Sequence, residues 1–209
     1  MQYLTILEIP SPSAADIIRI ITFGGESSMA GLKTRDLVYS SLGVTLLIIS
    51  SYIYVPLPFT PVPGTLQTLV VILIALSFKP RISRMAIAVF LFLGSIGFPV
   101  FSGGRGGAGA ILGPTGGFIM GFAAAVFLIS SFRSRIDTFA KAVVYSVLLG
   151  NLPIYLLGAS YLAISRDLTF VQAFAAGVIP FILPDLFKTV AAAVIWTRLA
   201  KTGLLENKQ

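Results

Sequence analysis

The sequence predicts an all-α integral membrane protein with six transmembrane helices and both termini in the cytoplasm. Three observations support this fold class: little charge, six apolar segments and an uneven distribution of lysine and arginine. Of the 209 residues, 56% are hydrophobic and only 11% are charged. A soluble domain carries about 25% charged residues. The bilayer is therefore the expected solvent, and we expect a multi-pass membrane protein.

The six apolar segments come close to the roughly 20 residues that a membrane-spanning helix needs. They are residues 37–55, 64–78, 85–100, 115–131, 142–162 and 180–199. Pro63 precedes the second segment, and Pro114 suits the first turn of the fourth. The last apolar stretch is too long for one span and contains Pro180 and Pro184. A short helix at the membrane surface, residues 170–177, is therefore predicted before the sixth span.

Lysine and arginine give the orientation of these segments. With the N-terminus inside, twelve of the fifteen basic residues fall on the cytoplasmic side, Arg105 and Arg166 fall outside, and Lys188 lies within the sixth span. The bias alternates correctly from loop to loop, as the positive-inside rule requires. The net charge of +7 is therefore a topology signal, and a nucleic-acid partner is not expected.

The chain is predicted to have one membrane domain and two short flanking segments. Residues 1–36 form an N-terminal cytoplasmic or interfacial segment, residues 37–200 the six-helix domain, and residues 201–209 a short cytoplasmic tail. The chain contains no cysteine and no histidine. We therefore predict no disulfide, no metal site of the usual kind and no catalytic residue.

Asp185 and Lys188 are the strongest candidates for a functional site. They are the only ionisable side chains within a predicted hydrophobic core, and their i, i+3 spacing puts them on one helix face. A charged group inside a bilayer is costly, so it usually faces a cavity or a partner. A structural ion pair is the alternative, but a pair within one helix does little to join helices.

Other polar groups are predicted at the same outer level. Gln67 lies one turn into the second span, while Asn151 and Tyr155 lie in the outer half of the fifth. Arg105 stands in the glycine-rich stretch "FSGGRGGAGAILGPTGG", where Gly104 and Gly106 flank it. Together these groups predict an outward-facing cavity with two cations, one carboxylate and two amides. Such a cavity suits a small ligand that has a carboxylate and hydrogen-bonding groups.

The residues alone leave two functions open. One is a ligand-capturing transport component, and the other is a proton- or ion-coupled secondary transporter for a small carboxylate, with Asp185 as the titrating group. The sequence has no inverted repeat and no second intramembrane acid, and both absences argue against the ion-coupled transporter. An enzyme is not expected, because the chain offers no plausible nucleophile with a neighbouring base. The phosphate loop of ATPases, GxxxxGK[ST], is also absent from the sequence.

Four stretches, taken in order, resemble the BioY family: "PVPGTLQTL", "GFPVFSGGRGGAGAILGPTGG", "GNLPIYLLG" and "PDLFK". The similarity covers roughly residues 36–201. It implies the six-helix bundle of a substrate (S) component of energy-coupling-factor (ECF) transporters, a protein of the bacterial cytoplasmic membrane that captures biotin from outside. It also implies a transmembrane coupling protein and two ATPase subunits as partners. No cofactor is implied, because only the partner subunits would use ATP.

Residue by residue, the resemblance assigns the family's ligand-binding arginine, aspartate and lysine to Arg105, Asp185 and Lys188. It assigns the polar position of the fifth span to Asn151 and the glutamine of "TLQTL" to Gln67. The chain departs from the family at three places. Gly64 replaces a frequent threonine, Pro184 replaces a frequent glycine, and Ser41 with Thr45 is a weak version of the first-helix docking pattern.

Overall fold

The computed structural model describes residues 33–202, most of which belong to a compact unit that begins at Arg35. Residues 1–32 and 203–209, which hold most of the two predicted flanking segments, lie outside the described residues. The helices are α1 Thr34–Tyr52, α2 Gln67–Ser77, α3 Pro80–Ser95, α4 Ala108–Ile111, α5 Gly116–Phe132, α6 Phe139–Ser146, α7 Leu152–Ser165, α8 Phe170–Gly177 and α9 Ile179–Lys201. A 3₁₀ turn, Arg133–Arg135, follows α5. A π-helical turn, Val147–Asn151, joins α6 to α7.

Among the described residues, three helical segments are long and apolar enough to cross a membrane. They are Gly116–Arg135, Phe139–Ser165 and Ile179–Lys201, while Gln67–Ser77 is a shorter apolar helix. The largely helical structure and its span-capable helices therefore agree with the predicted class, an all-α membrane protein. The count of six membrane spans and the orientation of the two termini remain predictions.

The described elements differ from the predicted segments mainly at α3, which is shifted by five residues at both ends, and in the residues after α1. Helix α3 begins at Pro80 rather than at residue 85, because proline is favoured in a first helical turn and the preceding Lys79 is extended. Residues after α1 form a small two-stranded ribbon that the apolar pattern does not predict. Its strands β1, Tyr54–Val55, and β2, Gly64–Thr65, pair antiparallel.

Helix α2 occupies the centre of the bundle. Nine of its eleven residues are buried, which explains why it is apolar on all sides. The guanidinium of Arg133 donates hydrogen bonds to the carbonyls of Leu76 at 3.0 Å and Ser77 at 3.3 Å, so it caps the C-terminal end. Eleven residues rise about 16 Å, roughly half the thickness of a bilayer core. The short helix therefore leaves room beyond its N-terminus, where Gln67 lies.

Helices α5 and α7 pack closely because small residues lie between them. A Cβ atom at Gly121 would come within 2.7 Å of the Ile154 Cα atom, so only glycine fits at this contact. The ring of Phe118 lies against Gly158 in the same interface. This packing brings Phe118 on α5 and Tyr155 on α7 to the same end of the bundle.

Candidate ligand-binding site

A cavity lies where the N-terminal ends of α2 and α9 meet the glycine-rich loop. Its empty space is about 620 Å³ when the part open to solvent is included. Five of the predicted site residues line it: Gln67, Arg105, Tyr155, Asp185 and Lys188. The structure therefore brings together side chains that are up to 121 positions apart in the sequence (from 67 to 188).

Asp185 is the most completely bonded group in the cavity. Its Oδ1 atom accepts a hydrogen bond from the Lys188 Nζ atom at 2.8 Å, and its Oδ2 atom accepts one from the Tyr155 hydroxyl at 2.9 Å. Asp185 is only 4% exposed, while the Lys188 side chain is 15% exposed. The predicted i, i+3 pair is therefore present, with the ammonium nearer to the open space.

The glycine-rich loop carries Arg105 to the opposite wall. The loop folds back on itself, because the amide of Phe101 bonds to the carbonyl of Arg105 at 2.8 Å and the amide of Arg105 bonds back at 3.2 Å. Gly103 and Gly104, between them, have φ values of +70° and +72°, which residues with a Cβ rarely adopt. Arg105 is exposed, and its Nε atom donates to the Ser102 carbonyl at 3.0 Å.

Gln67 lies at the third side of the cavity, at the start of α2. It is 3% exposed, and its side chain makes no hydrogen bond to another described residue, so its amide is available to a ligand. The backbone amide of Gln67 is held by the Thr65 hydroxyl at 3.3 Å. Thr65 and Thr68 line the cavity beside it.

Three predicted site residues are outside the cavity lining. Asn151 is buried one helical turn from Tyr155, and its Nδ2 atom donates to the Thr189 hydroxyl at 2.9 Å. Gly104 and Gly106 shape the loop without facing the cavity. At Gly106 the Phe98 carbonyl leaves no space for a side chain, so glycine is required there for close approach.

Aromatic residues that the sequence analysis did not single out form much of the apolar wall. Phe118 and Phe122 contribute one face of α5, and Phe181 lies one turn before Asp185 on α9. The spacing of Phe181, Asp185 and Lys188 follows the i, i+4, i+7 pattern of one helix face, so that position was recognisable in the sequence. Phe118 and Phe122 had no such signal, because nearly all of α5 is apolar.

The chemistry of the lining favours an anionic, partly apolar ligand. Asp185 and Lys188 balance each other, so the guanidinium of Arg105 leaves an excess of one positive charge around the cavity. Aromatic and aliphatic side chains form the middle. Among the described residues there is no group of three or more acidic side chains that could hold a metal ion.

Comparison with known proteins identifies the family. The BioY family model matches residues 25–203. The chain belongs to the BioY family. The resemblance inferred from the four sequence stretches is therefore confirmed.

Relatives within the BioY family cover most of the chain. A probable biotin transporter BioY from Pyrococcus horikoshii is 38% identical over 168 residues, which cover 80% of this chain and 98% of that protein. The biotin transporter BioY from Thermotoga maritima is 35% identical over 168 residues, covering 80% and 96%.

A solved structure of a biotin S-component supports the fold. The crystal structure of the S-component for biotin from an ECF-type ABC transporter superposes with a TM-score of 0.76 at 26% sequence identity. It covers 82% of this chain and 95% of that chain. The match therefore supports an S-component fold for this BioY family member.

Proposed function

We propose that this chain captures biotin and delivers it across the membrane as the substrate-binding component of an ECF-type transporter. The observation that carries the proposal is the cavity itself, in which the Asp185–Lys188 pair and Arg105 surround an aromatic interior. Biotin has the matching groups: one carboxylate, a ureido ring with donors and an acceptor, and an apolar middle. Membership of the BioY family supports the same ligand.

Each polar group has a distinct proposed role. Lys188 binds an anionic or carbonyl oxygen of biotin. Asp185 accepts a hydrogen bond from a ligand N–H group or holds Lys188 in place. Gln67 fixes orientation through its free amide. Arg105 acts as a charged anchor at the mouth, where its exposure allows it to meet the ligand first.

The proposed orientation puts the cavity at the outer side of the cytoplasmic membrane. The positive-inside bias of the sequence supports it, with both termini in the cytoplasm. Lys188 is nine residues into α9, about 13 Å along its axis, so the pair lies within reach of a ligand that enters from outside.

Cysteine labelling tests this orientation in a chain that has no cysteine of its own. Ala108 and Ser134 are both exposed and lie on opposite sides in the proposed topology. In intact cells, Ala108→Cys should react with a membrane-impermeant thiol reagent, and Ser134→Cys should react only after permeabilisation. The reverse labelling pattern would put the cavity on the cytoplasmic side.

The energy for release is proposed to come from partner subunits. The chain has no phosphate loop, so a transmembrane coupling protein and two ATPase subunits would supply it, and the chain itself would need no cofactor. Ser41 and Thr45 on α1 are exposed and provide a candidate contact for the coupling protein. No observation on the described residues favours the alternative of an ion-coupled transporter.

Purification in detergent followed by titration with biotin tests the proposal. We expect the chain to bind biotin alone, without nucleotide and without a proton gradient. Biotin should co-purify when it is present during expression. A folded chain that fails to bind biotin, or that binds only when ATP or a gradient is supplied, would overturn the proposed function.

A further inference from the structure

Two hydrogen bonds join α7 and its π turn to α9, and we call them the lower and the upper rung. The lower rung runs from the Asn151 Nδ2 atom to the Thr189 hydroxyl, and the upper rung runs from the Tyr155 hydroxyl to the Asp185 Oδ2 atom. Both measure 2.9 Å. Asn151 and Tyr155 are four residues apart, as are Asp185 and Thr189, so both rungs lie on the facing sides of two antiparallel segments.

The lower rung is linked directly to the backbone of the ion pair. The Thr189 hydroxyl donates to the Asp185 carbonyl at 2.7 Å, so Asn151, Thr189 and Asp185 form one chain of hydrogen bonds. Thr189 is completely buried and Asn151 is 4% exposed, so no bulk water competes for these bonds. A rung in this setting constrains how α9 is rotated about its axis.

The π turn determines where the lower rung forms, because it sets the direction of the Asn151 side chain. Over Val147–Asn151 the backbone bonds widen to i→i+5, with the amide of Leu152 bonded to the carbonyl of Val147. Such a turn changes the rotational phase of the residues on either side, and π turns occur often at functional sites. Here the change directs Asn151 towards α9, although the Asn151 Oδ1 atom has no hydrogen-bond partner among the described residues. A buried amide with one group unpaired is costly, so packing alone does not explain an asparagine at this position.

We propose that Asn151 and Thr189 are positioning residues that hold α9 in the rotation at which Asp185 and Lys188 face the cavity. This inference rests on the proposed function, because it assigns the pair to biotin. Asn151 acts through Thr189 and does not contact the ligand, in agreement with its place outside the cavity lining. Without the lower rung, α9 spends part of its time in other rotations, and the apparent affinity falls in proportion to the fraction of competent protein.

Removal of the Thr189 hydroxyl tests the rung with little change of shape. Thr189→Val should weaken biotin binding by about two- to tenfold, the value of one buried hydrogen bond. The loss should appear as slower association with unchanged dissociation, because competent molecules still hold biotin normally. Thr189→Ser, which retains the hydroxyl, should restore the association rate. Thr197→Val is the matched control, because that exposed hydroxyl bonds only within α9, to the Val194 carbonyl.

The double variant separates positioning from ligand contact. If Asn151 acts only through Thr189, then Asn151→Leu added to Thr189→Val should cause little further loss of affinity. A direct contact between Asn151 and biotin would instead make the two losses multiply and would accelerate dissociation.

Several outcomes are decisive. Unchanged affinity in Thr189→Val, a loss that Thr189→Ser does not restore, or multiplying losses would each overturn the inference. If Asn151→Leu does not fold, the Val and Ser variants of Thr189 decide alone. A wild-type chain that does not bind biotin would refute the proposed function, and that result is distinct from a normal wild type with silent rung variants.

Discussion

The α9 wall of the cavity and the glycine loop opposite it are held in place by different means. On α9, both oxygens of the buried Asp185 carboxylate accept hydrogen bonds, from Lys188 and from Tyr155. On the loop, the exposed guanidinium of Arg105 has a hydrogen bond only to the Ser102 carbonyl among the contacts of its side chain with described residues. One wall is fixed before a ligand arrives, and the other can reorient its charge.

This difference predicts unequal energetic roles. A preorganised, buried group needs no rearrangement on binding, so it contributes most of the affinity and determines dissociation. An exposed cation is screened by water and salt, so it contributes less to affinity and more to the rate of encounter. Variants on the two walls should therefore separate by size of effect and by response to ionic strength.

The largest effect should follow from Lys188→Met. This change removes the proposed charge-assisted bond to the ligand and leaves the Asp185 carboxylate without its cation, so biotin affinity should fall by about ten- to a hundredfold. Lys141→Met is the control: Lys141 also pairs with an aspartate, Asp137, but that pair is exposed and i, i+4. Titration calorimetry should find the control within about twofold of the wild type.

Equal effects of the two lysine variants would break the comparison. In that case burial of the α9 pair would bring no particular contribution to binding, and the fixed wall would have no special role.

Arg105→Gln should have a smaller effect. Because Arg105 is exposed, its removal should lower affinity by about two- to fivefold at low salt and by less at high salt. Stopped-flow binding at several ionic strengths measures both quantities. A loss as large as that of Lys188→Met, or one that salt does not change, would mean that the loop closes over the ligand and buries the charge.

Gly104→Ala should have the smallest effect of the three variants, and that effect is on thermal stability. The residue has φ +72° with ordinary contact to the Tyr52 ring, so the alanine is penalised mainly by the backbone, at about 1 kcal/mol. A thermal midpoint about 2–4 °C lower is expected. Gly109→Ala is the control, because Gly109 lies in α4 with open space around it. A control that loses as much stability as Gly104→Ala would remove the conformational explanation.

The sequence predicted the charged members of the site because charge is rare inside an apolar segment. Asp185 and Lys188 were recognisable for this reason, and Arg105 because it is the one charge in the glycine-rich stretch; all three line the cavity. The sequence did not predict the apolar wall of Phe118 and Phe122, since a phenylalanine that faces a cavity and one that faces lipid have the same local pattern. Phe59 shows the same limit: its local pattern does not distinguish it from the cavity phenylalanines, but it is 66% exposed and borders a neighbouring groove.

Asn151 illustrates a second limit, which is rotational phase. An ordinary α-helix through the fifth span predicts its face from a 100° step per residue, but the π turn shifts that phase within one turn. Nothing in "VLLGN" signals the wider turn. The sequence therefore placed Asn151 at the correct level of the bundle, while the structure directs its amide to Thr189 instead of the cavity.

The double variant Asp185→Asn with Lys188→Met tests most directly the claim that the α9 pair forms the ligand site. Replacing both members of a buried pair leaves no stranded charge, so the protein should remain folded, with a thermal midpoint near that of the wild type. The account predicts that this stable protein binds biotin at least about a hundredfold more weakly than the wild type. A stable double variant with near-normal biotin affinity would contradict it, and would reduce the pair to a structural feature of α9.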